Sequence, residues 1–467
     1  MTHLHSSCTT ILVGKKATID GSTMIARTED HSDYAEPQQF VVVNPADQPR
    51  HYQAKLAKFA LDLPENPRRY TATPDADRTH GEWGGSGINS ANVAMTATET
   101  ITTNDRVLAA DPLVNDGLSE EDLLTIVLPY LDSARAGVLR VGQLLEQYGT
   151  YESNGMAFAD QDEIWYLETL GGHHWAAVKI PDDAYVVAPN RLNIAEFDLE
   201  AEDVLYSADL ADFIQKNHLN PDAAGLNLRH TFGSATIKDT HYNNPRAWYV
   251  QKFFTPSVVQ DPLDHNLPFI CHPEKKIGIA ELKWALSSHY QNTPYDCYGD
   301  GTSAEKKCFR PIGINRNEET HILQIRPDKP SAATGLQWLA FGPNTFNTLV
   351  PFYTQVSTTP ESFRRADANY DPTTAYWLSR TLGVLGDTDY GVYSEYHAQY
   401  EQATLAQLQA IVAQTDRKLT QVTDPTPVLE AANQQLADCY MKESQKLLGK
   451  MVLSGSKHMK LKFSVFD

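Results

Sequence analysis

The order in which extended and helical segments follow one another is the feature that most constrains the fold of this chain. Residues 9–13 form a β-branched run, and residues 22–28 form a second extended run after a turn region that ends in Asp20-Gly21. Two such runs joined by a Gly-containing loop predict an antiparallel hairpin. A second hairpin is predicted over residues 83–101, with its turn near residues 89–92.

Helices and further strands are predicted after these hairpins. Ser119-Glu-Glu-Asp122 has the pattern of a capping box, and the helix that it opens contains Pro129, which we expect to kink it. A second helix is predicted over residues 134–148. Four short strands follow, at residues 154–159, 163–168, 175–180 and 184–188. Strands, then helices, then strands favour a layered α+β domain over a parallel βαβ sheet.

The last hundred residues differ from the rest. Residues 200–330 are mixed, with a short helix predicted at 280–287 and a strand at 321–325. After about residue 360, apolar residues recur at helical spacing up to Leu419, and a further helix is predicted at 428–451. We therefore expect a main domain over residues 8–360 and a helical C-terminal extension over residues 361–467. The apolar face of this extension is expected to pack either on the core or on another subunit of a homo-oligomer.

Charge and hydropathy exclude several classes of protein. The net charge is -20 and no cluster of Lys and Arg is present, so we expect no nucleic-acid partner. No run of about 18 apolar residues exists, so we expect no membrane span. The N-terminus lacks the apolar core of a secretory signal, which makes the cytoplasm the expected compartment.

Cofactor and metal motifs are missing from the sequence. The five cysteines include no Cys-x-x-Cys pair, and no His-Glu-x-x-His is present, so neither a disulfide framework nor a zinc site is expected. The stretch Gly84-Gly85-Ser86-Gly87 matches neither a dinucleotide-binding motif nor a P-loop. His289 beside Tyr290 is a candidate pocket residue, but a structural histidine is the favoured interpretation. We expect no cofactor and no metal.

The first hairpin brings reactive groups together. If its loop centres near Thr18, Cys8 lies opposite about Thr28, with Arg27 and Asp30 one or two residues away. A thiolate is the reactive form of cysteine, and a neighbouring guanidinium favours it. Cys8 is therefore a candidate nucleophile. The alternatives are that Cys8 is a small buried hydrophobe and that Arg27 and Asp30 form a surface ion pair.

Several long motifs extend this hypothesis. The segment from Cys8 to Asp30 closely resembles the start of the C69 dipeptidases, the dipeptidase A family of lactic acid bacteria. Residues 242–249, 288–296 and 310–327 resemble the same family in the same order. The resemblance runs from residue 8 to about residue 380, and more loosely to the end.

The resemblance implies a fold and a mechanism. The fold would be the four-layer αββα sandwich of the N-terminal nucleophile hydrolases, and the activity would be cysteine-type hydrolysis of dipeptides with broad side-chain tolerance. Residues 1–7 would be a prosegment, removed by self-processing or by an aminopeptidase. Cys8 would then carry a free α-amine, whose pKa of about 8 suits a general base. Arg27 and Asp30 match the superfamily's Arg and Asp, three residues apart.

Further site residues follow from the same resemblance. The superfamily places an Asn after a strand as an oxyanion donor, for which Asn190 is the candidate and Asn193 its rival. A backbone N–H near Glu99 is a second candidate oxyanion contact. Arg246 matches a superfamily Arg near the nucleophile, holds a substrate carboxylate, or forms a structural salt bridge.

Two other functions remain open. One is an amidase for N-acyl compounds, of the penicillin V acylase or bile salt hydrolase type. The other is a non-catalytic protein resembling the secernins. The acidic partner of a dipeptide's amine is also open, with Glu29 and Asp33 as neighbours of interest.

Overall fold

A computed structural model of the chain describes residues 7–31 and 35–461. The predicted prosegment therefore lies outside the described residues apart from Ser7, and so does Asp33. The strands are β1 (Ser7–Val13), β2 (Thr23–Asp30), β3 (Val41–Val43), β4 (His51–Gln53), β5 (Ala60–Asp62), β6 (Tyr70–Ala72), β7 (Ser86–Ile88), β8 (Ala94–Thr100), β9 (Asn154–Ala159), β10 (Ile164–Thr169), β11 (Trp175–Ile180), β12 (Tyr185–Pro189), β13 (Val204–Tyr206), β14 (Ile270–Cys271), β15 (Asn317–Ile325), β16 (Gly335–Phe341) and β17 (Val350–Tyr353). The α-helices are α1 (Asp105–Ala110), α2 (Glu120–Val127), α3 (Ala134–Tyr148), α4 (Leu210–Lys216), α5 (Leu228–Phe232), α6 (Ile237–Phe254), α7 (Ile279–Leu286), α8 (Ser331–Thr334), α9 (Glu361–Arg364), α10 (Ala375–Thr388), α11 (Tyr390–Leu419) and α12 (Thr426–Lys457).

Antiparallel pairing joins most strands into two sheets. Over the described residues, one sheet has the strand order β14-β12-β1-β2-β15-β16-β17, and the other has the order β13-β11-β10-β9-β8-β7. The first predicted hairpin is β1 and β2, and it lies near the middle of the first sheet. The architecture is α+β, as predicted from the order of the segments.

Side chains on the two faces of each sheet pack against different partners. Residues from both sheets form one apolar cluster, which includes Leu12, Ile25, Leu323, Ala94, Ala157 and Ile164. On its other face the first sheet packs against α6, α7, α11 and α12, through residues such as Ile11, Ile322, Trp248, Leu282, Leu408 and Leu436. The other face of the second sheet packs against α2 and α3 through Met95, Met156, Leu124 and Val141. Because successive strand residues point to opposite faces, Ile11 and Leu12 belong to different clusters.

The helix boundaries reflect local signals. Ser119 N donates to Asp122 Oδ2 at 2.8 Å, which confirms the capping box at the start of α2. We expected Pro129 to kink this helix, but α2 ends at Val127 and a 3-10 turn, Leu128–Tyr130, follows. Proline has no N–H to continue the helical hydrogen bonds, so the helix terminates.

The C-terminal helices share a core with the first sheet. Leu408 of α11 and Leu436 of α12 belong to the same apolar cluster as Val350 and Phe352 of β17. The apolar face of the extension thus packs within the chain, which was one of the two expected arrangements. None of the described helices is long and apolar enough to cross a membrane.

Candidate active site

Three neighbouring strands align the candidate groups in rows. Cys8 of β1 pairs with Glu29 of β2, so the predicted register is wrong by one residue. Thr10 pairs with Arg27, which pairs in turn with His321 of β15. The error arises because the register depends on where the long loop turns, which the loop sequence does not fix. A shift of one residue also decides which side chains share a face.

Arg27 makes direct contact with the thiol. Its Nη1 lies 3.1 Å from Cys8 Sγ, and its Nη2 donates to Glu29 Oε2 at 2.8 Å. The remaining donors reach β8 of the second sheet, at Thr96 Oγ1, Thr98 O and Ala97 O. Arg27 therefore lies between the two sheets with every N–H used, and nearby carboxylates raise its pKa. Arg27 therefore lies next to Cys8, as the sequence predicted.

Asp30 lies on the other face of β2. It pairs with Ser7 across the hairpin, and its carboxylate accepts hydrogen bonds from Arg310 and Asn317. Arg27 forms its ion pairs with Glu29, two residues along the strand, at 2.8 Å and with Glu120 at 3.8 Å. The predicted grouping of all three side chains is therefore wrong for Asp30, because strand side chains alternate between faces. Asp30 instead lies beside the Ser7–Cys8 bond.

The electrostatics around the thiol oppose its ionisation. Burial raises the pKa of Cys8 well above its usual value, and Glu99, Glu120 and Glu29 raise it further, while Arg27 lowers it. Arg27 thus acts on the thiol in the direction that the sequence suggested, while burial and three carboxylates that the sequence did not indicate act in the opposite direction.

Asn190 lies at the end of β12, next to Cys8. Its Oδ1 accepts from Cys8 N at 3.2 Å and from Arg246 Nη2 at 2.9 Å. Its Nδ2 donates to Thr100 O at 2.9 Å, which leaves the second amide hydrogen for another acceptor. The rival, Asn193, is buried and directs Nδ2 toward Glu168 and main-chain carbonyls. Of the two, Asn190 is the one that contacts Cys8, and its role as an oxyanion donor stays a prediction.

Arg246 of α6 donates hydrogen bonds to several groups around Cys8. Its Nη1 donates to Cys8 O at 2.5 Å and to Thr9 Oγ1 at 2.8 Å, while its Nε donates to Tyr242 O. Its Nη2 reaches Asn190 and Asn243. All five N–H groups are thus used by acceptors of the protein. Arg246 lies near Cys8 as predicted, but it has no donor left for a substrate carboxylate.

An irregularity in the pairing of β8 places the Glu99 side chain in the site around Cys8. The pairing of β8 with β9 shifts register between Ala97 and Glu99, so Glu99 shares the inter-sheet face with Thr96. Glu99 Oε2 accepts from Thr10 Oγ1 at 2.8 Å, and its buried Oε1 has no hydrogen-bond partner among the described residues. Burial raises the pKa of Glu99 to about 8. The resemblance pointed only to the main chain near Glu99, whereas its side chain faces Cys8 as a second titratable group.

Comparisons with known proteins agree with this geometry. The model of peptidase family C69 matches residues 7–403. This chain belongs to peptidase family C69. It is 55% identical to a probable dipeptidase B of Lactococcus lactis subsp. lactis (strain IL1403), over 99% of this chain and 98% of that one. It is 54% identical to a dipeptidase A of Lactobacillus helveticus, over 99% of each chain, and 41% identical to a dipeptidase of Bifidobacterium longum (strain NCC 2705), over 99% and 100%. The chain is therefore a peptidase.

Sequence reasoning missed several groups of this C69 peptidase. Glu120 lies 3.8 Å from Arg27 Nη1, and Nη2 atoms of Arg310 and Arg316 lie 3.3 and 3.4 Å from Ser7 Oγ. Both arginines fall in the motif at residues 310–327, but nothing in their spacing indicates a contact some 300 residues away. Only the strand register brings them to Ser7.

One potential metal cluster occurs among the described residues, away from Cys8. His289, Asp296 and Cys297 place ligand atoms within 4.8 Å of one another. His289 is buried, with Nδ1 2.7 Å from Asp296 Oδ1 and Nε2 3.3 Å from Tyr390 OH. These bonds give His289 the structural role that the sequence favoured. The expectation that the peptidase uses no metal stays a prediction.

Proposed function

We propose that this C69 peptidase is a dipeptidase whose nucleophile is Cys8. The observation that carries the proposal is the placement of Cys8 Sγ 3.1 Å from Arg27 Nη1, with Cys8 N 3.2 Å from Asn190 Oδ1. The thiol of Cys8 thus contacts a cation, and its main-chain N–H contacts the side chain of Asn190, whose Nδ2 keeps one hydrogen for an oxyanion. The names of the relatives, dipeptidases A and B, support dipeptides as the substrate class.

The proposed reaction begins after residues 1–7 have been removed. Cys8 Sγ attacks the peptide carbonyl while the α-amine of Cys8 takes the thiol proton. Asn190 Nδ2 and a backbone N–H near Glu99 stabilise the oxyanion, a contribution of roughly 3 kcal/mol per donor. The α-ammonium protonates the leaving amine and a thioester remains. Water then attacks the thioester, gives one proton to the α-amine, and the thiol is restored. The high pKa of the buried thiol is the reason a base is needed.

Release of the prosegment is proposed to use the same nucleophile. Attack on the Ser7 carbonyl would break the Ser7–Cys8 bond, and trimming by an aminopeptidase is the alternative. Asp30 pairs with Ser7 in the sheet, so its carboxylate borders this bond and, after cleavage, the new α-amine. We propose that Asp30 orients that amine, while Arg246 positions Asn190 and the Cys8 backbone.

The fold is proposed to be the αββα sandwich of the N-terminal nucleophile hydrolases. Its support is the apolar cluster between two antiparallel sheets, together with helices on the outer face of each. The division into a catalytic domain at residues 8–360 and an extension at 361–467 stays a prediction, as do the cytoplasmic location, broad side-chain tolerance and any homo-oligomer.

Arg246 has no donor left to bind the carboxylate of a dipeptide, so a different guanidinium must bind it. Arg310 and Arg316 both contact Ser7. Removal of residues 1–7 would therefore leave space beside these two arginines. Arg310 is already bound to Asp30, whereas Arg316 is only half-buried and donates to Ser7 Oγ and Tyr242 OH. We propose Arg316 as the residue that binds the substrate carboxylate.

Replacing the nucleophile tests the proposal. Cys8→Ala should lower kcat for dipeptides by at least roughly 10⁴-fold with little change in the free energy of unfolding, because a nucleophile has no substitute. Cys271→Ala is the matched control, since Cys271 is also buried in the first sheet. It should leave kcat unchanged. Equal loss in both variants, or full activity in Cys8→Ala, would exclude Cys8 as nucleophile.

The state of the N-terminus is tested separately. Intact mass and N-terminal sequencing of active protein should find Cys8 as the first residue. Active protein that retains residues 1–7 would exclude the α-amine as the base while leaving the nucleophile in place. A panel of dipeptides and N-acyl amino acids distinguishes a dipeptidase from an amidase, and loss of hydrolysis with thiol reagents distinguishes either from a secernin-like binding protein.

A further inference from the structure

A small recess lies beside the strand end that carries Asn190. It has a volume of about 90 Å³, and its buried lining includes Arg191 and Arg229, while Ser234 and Ala235 lie toward solvent. The volume corresponds to about three water molecules in the liquid, at about 30 Å³ each. The recess is thus large enough for one small ion and opens to solvent on one side.

Two buried cations line this recess, and neither has an ion-pair partner among the described residues. Arg191 is 6% exposed and Arg229 is 9% exposed. Arg191 Nη1 donates to Asn244 Oδ1, and Arg229 donates to the carbonyls of His265, Leu267 and Asn193. In the part of the chain that the structure describes, neither guanidinium forms a salt bridge, and the Nε of each has no hydrogen-bond partner. Burying a cation without a counter-charge is expensive.

The surrounding groups leave the recess electropositive. Glu168 and Asp264 attract both arginines only at longer range, and the pKa of each arginine is lowered by burial. Asp239 also borders the recess, but its Oδ2 accepts from Ser234 Oγ and Thr236 Oγ1. These residues form the N-terminus of α6, an 18-residue helix whose dipole is positive at this end.

We propose that this recess is an anion site that binds a small oxoanion, a carboxylate or a phosphate, between Arg191 and Arg229. A guanidinium fork matches the planar or tetrahedral oxygens of such anions, and the positive end of the α6 dipole favours negative charge nearby. The site is separate from the nucleophile and does not depend on the dipeptidase proposal.

Occupancy of this site would act on the elements that hold Asn190. Arg191 directly follows Asn190 in the chain, and its partner Asn244 lies on α6 two residues before Arg246. Arg246 in turn holds Asn190 Oδ1. An anion between the arginines therefore ties the end of β12 to α6, and the bound form should be the more stable one.

Thermal unfolding of the full chain tests the proposal. Inorganic phosphate or acetate is added at constant ionic strength, with chloride as the balancing salt. We expect a saturable rise in Tm. A rise with phosphate alone indicates an inorganic ligand, and a rise with acetate indicates a carboxylate such as that of an amino acid. Arg191→Met should weaken the apparent affinity at least tenfold and should not lower Tm in chloride, because it removes an unneutralised buried charge.

Two further variants assign the rise in Tm to the recess. Ala235→Glu adds a negative charge on the exposed side of the recess without disturbing the core, and should also weaken the response. Arg316→Gln should keep the full response, because Arg316 lies at Ser7 and outside the recess. The proposal is overturned if wild type shows no saturable rise, which means that the recess holds water only. It is also overturned if Arg191→Met and Ala235→Glu respond as wild type does, or if Arg316→Gln loses the response.

Discussion

The layer between the two sheets has an apolar end and a polar end, although both are equally buried. At the apolar end, Leu12, Ile25 and Leu323 lie side by side across β1, β2 and β15. Four residues further toward Cys8 on the same strands, the equivalent row is Cys8, Glu29 and Glu319. Between them lies the row of Thr10, Arg27 and His321. All of these residues are at most 2% exposed.

The apolar end contributes stability, whereas the polar end carries the groups that can take part in chemistry. The apolar row is held by burial alone, which has no dependence on pH. The polar rows are held by charge-assisted hydrogen bonds from Arg27 to Glu29 and by the Thr96 hydroxyl, which contacts both Arg27 and His321. Charges placed in a dry layer shift one another's pKa values, and functional sites are where such shifts are found. The same strands thus supply a scaffold at one end and titratable groups at the other.

Removing the guanidinium of Arg27 should strongly destabilise the polar rows. Arg27→Met leaves Glu29 buried without its partner, so we expect a loss of about 3–5 kcal/mol in the free energy of unfolding. Urea unfolding measures this loss. The double variant Arg27→Met with Glu29→Gln should recover part of it, because the charge of Glu29 is removed as well, whereas Glu120, 3.8 Å from Arg27 Nη1, still loses its cation. Purely additive losses in the two variants would show that the pair is not coupled.

Shortening a side chain of the apolar row should lower the free energy of unfolding slightly less than Arg27→Met does, and should leave kcat unchanged. Leu323→Ala removes a fully buried side chain, so we expect a loss of about 2–4 kcal/mol in the free energy of unfolding. The kcat of the folded fraction should stay within twofold of wild type. The loss should be the same at pH 5 and pH 8. A fall in kcat comparable with that of a polar-row variant would contradict the separation of the two ends.

The pH dependence of stability should come from the polar end. The pKa of Glu99 is about 8 in the folded protein, against 4.5 for an ordinary glutamate. The folded protein therefore keeps a proton that the unfolded chain releases, and stability falls as pH rises from about 5 to 8. Glu99→Gln should reduce this fall by about 3.5 kcal/mol, measured by urea unfolding at both pH values. An unchanged pH dependence would mean that Glu99 is not the group responsible.

The smallest expected effect is that of replacing Arg316, which contacts Ser7 next to the polar rows. Arg316→Gln should raise KM about tenfold for dipeptides with a free carboxylate, the loss of one charged hydrogen bond, with kcat nearly unchanged. Dipeptide amides, which lack the carboxylate, serve as the matched substrates and should show no change in KM. Equal increases for acids and amides would assign Arg316 a structural role.

Much of the local structure was predictable from neighbouring residues. The bounds predicted for α3, β9 and β11 match the structure, because hydrophobic period, caps and turn residues are all encoded within a few positions. Helix α6 was missed because Pro245 lies inside it, where proline normally ends a helix. Tertiary packing of Trp248 and its neighbours on the first sheet overrides that signal.

The sequence by itself determined the α+β class, the hairpin that carries Cys8, and the identity of Arg27 and Asn190 as its candidate partners. Only the tertiary structure decided that Asp30 faces away from the thiol, that Glu29, Glu99 and Glu120 surround it, and that Arg246 has no free donor. The physical reason is that strand register and sheet packing set these contacts. A shift of one residue reverses a side chain's face, and a carboxylate changes a pKa only through its distance from the group it acts on.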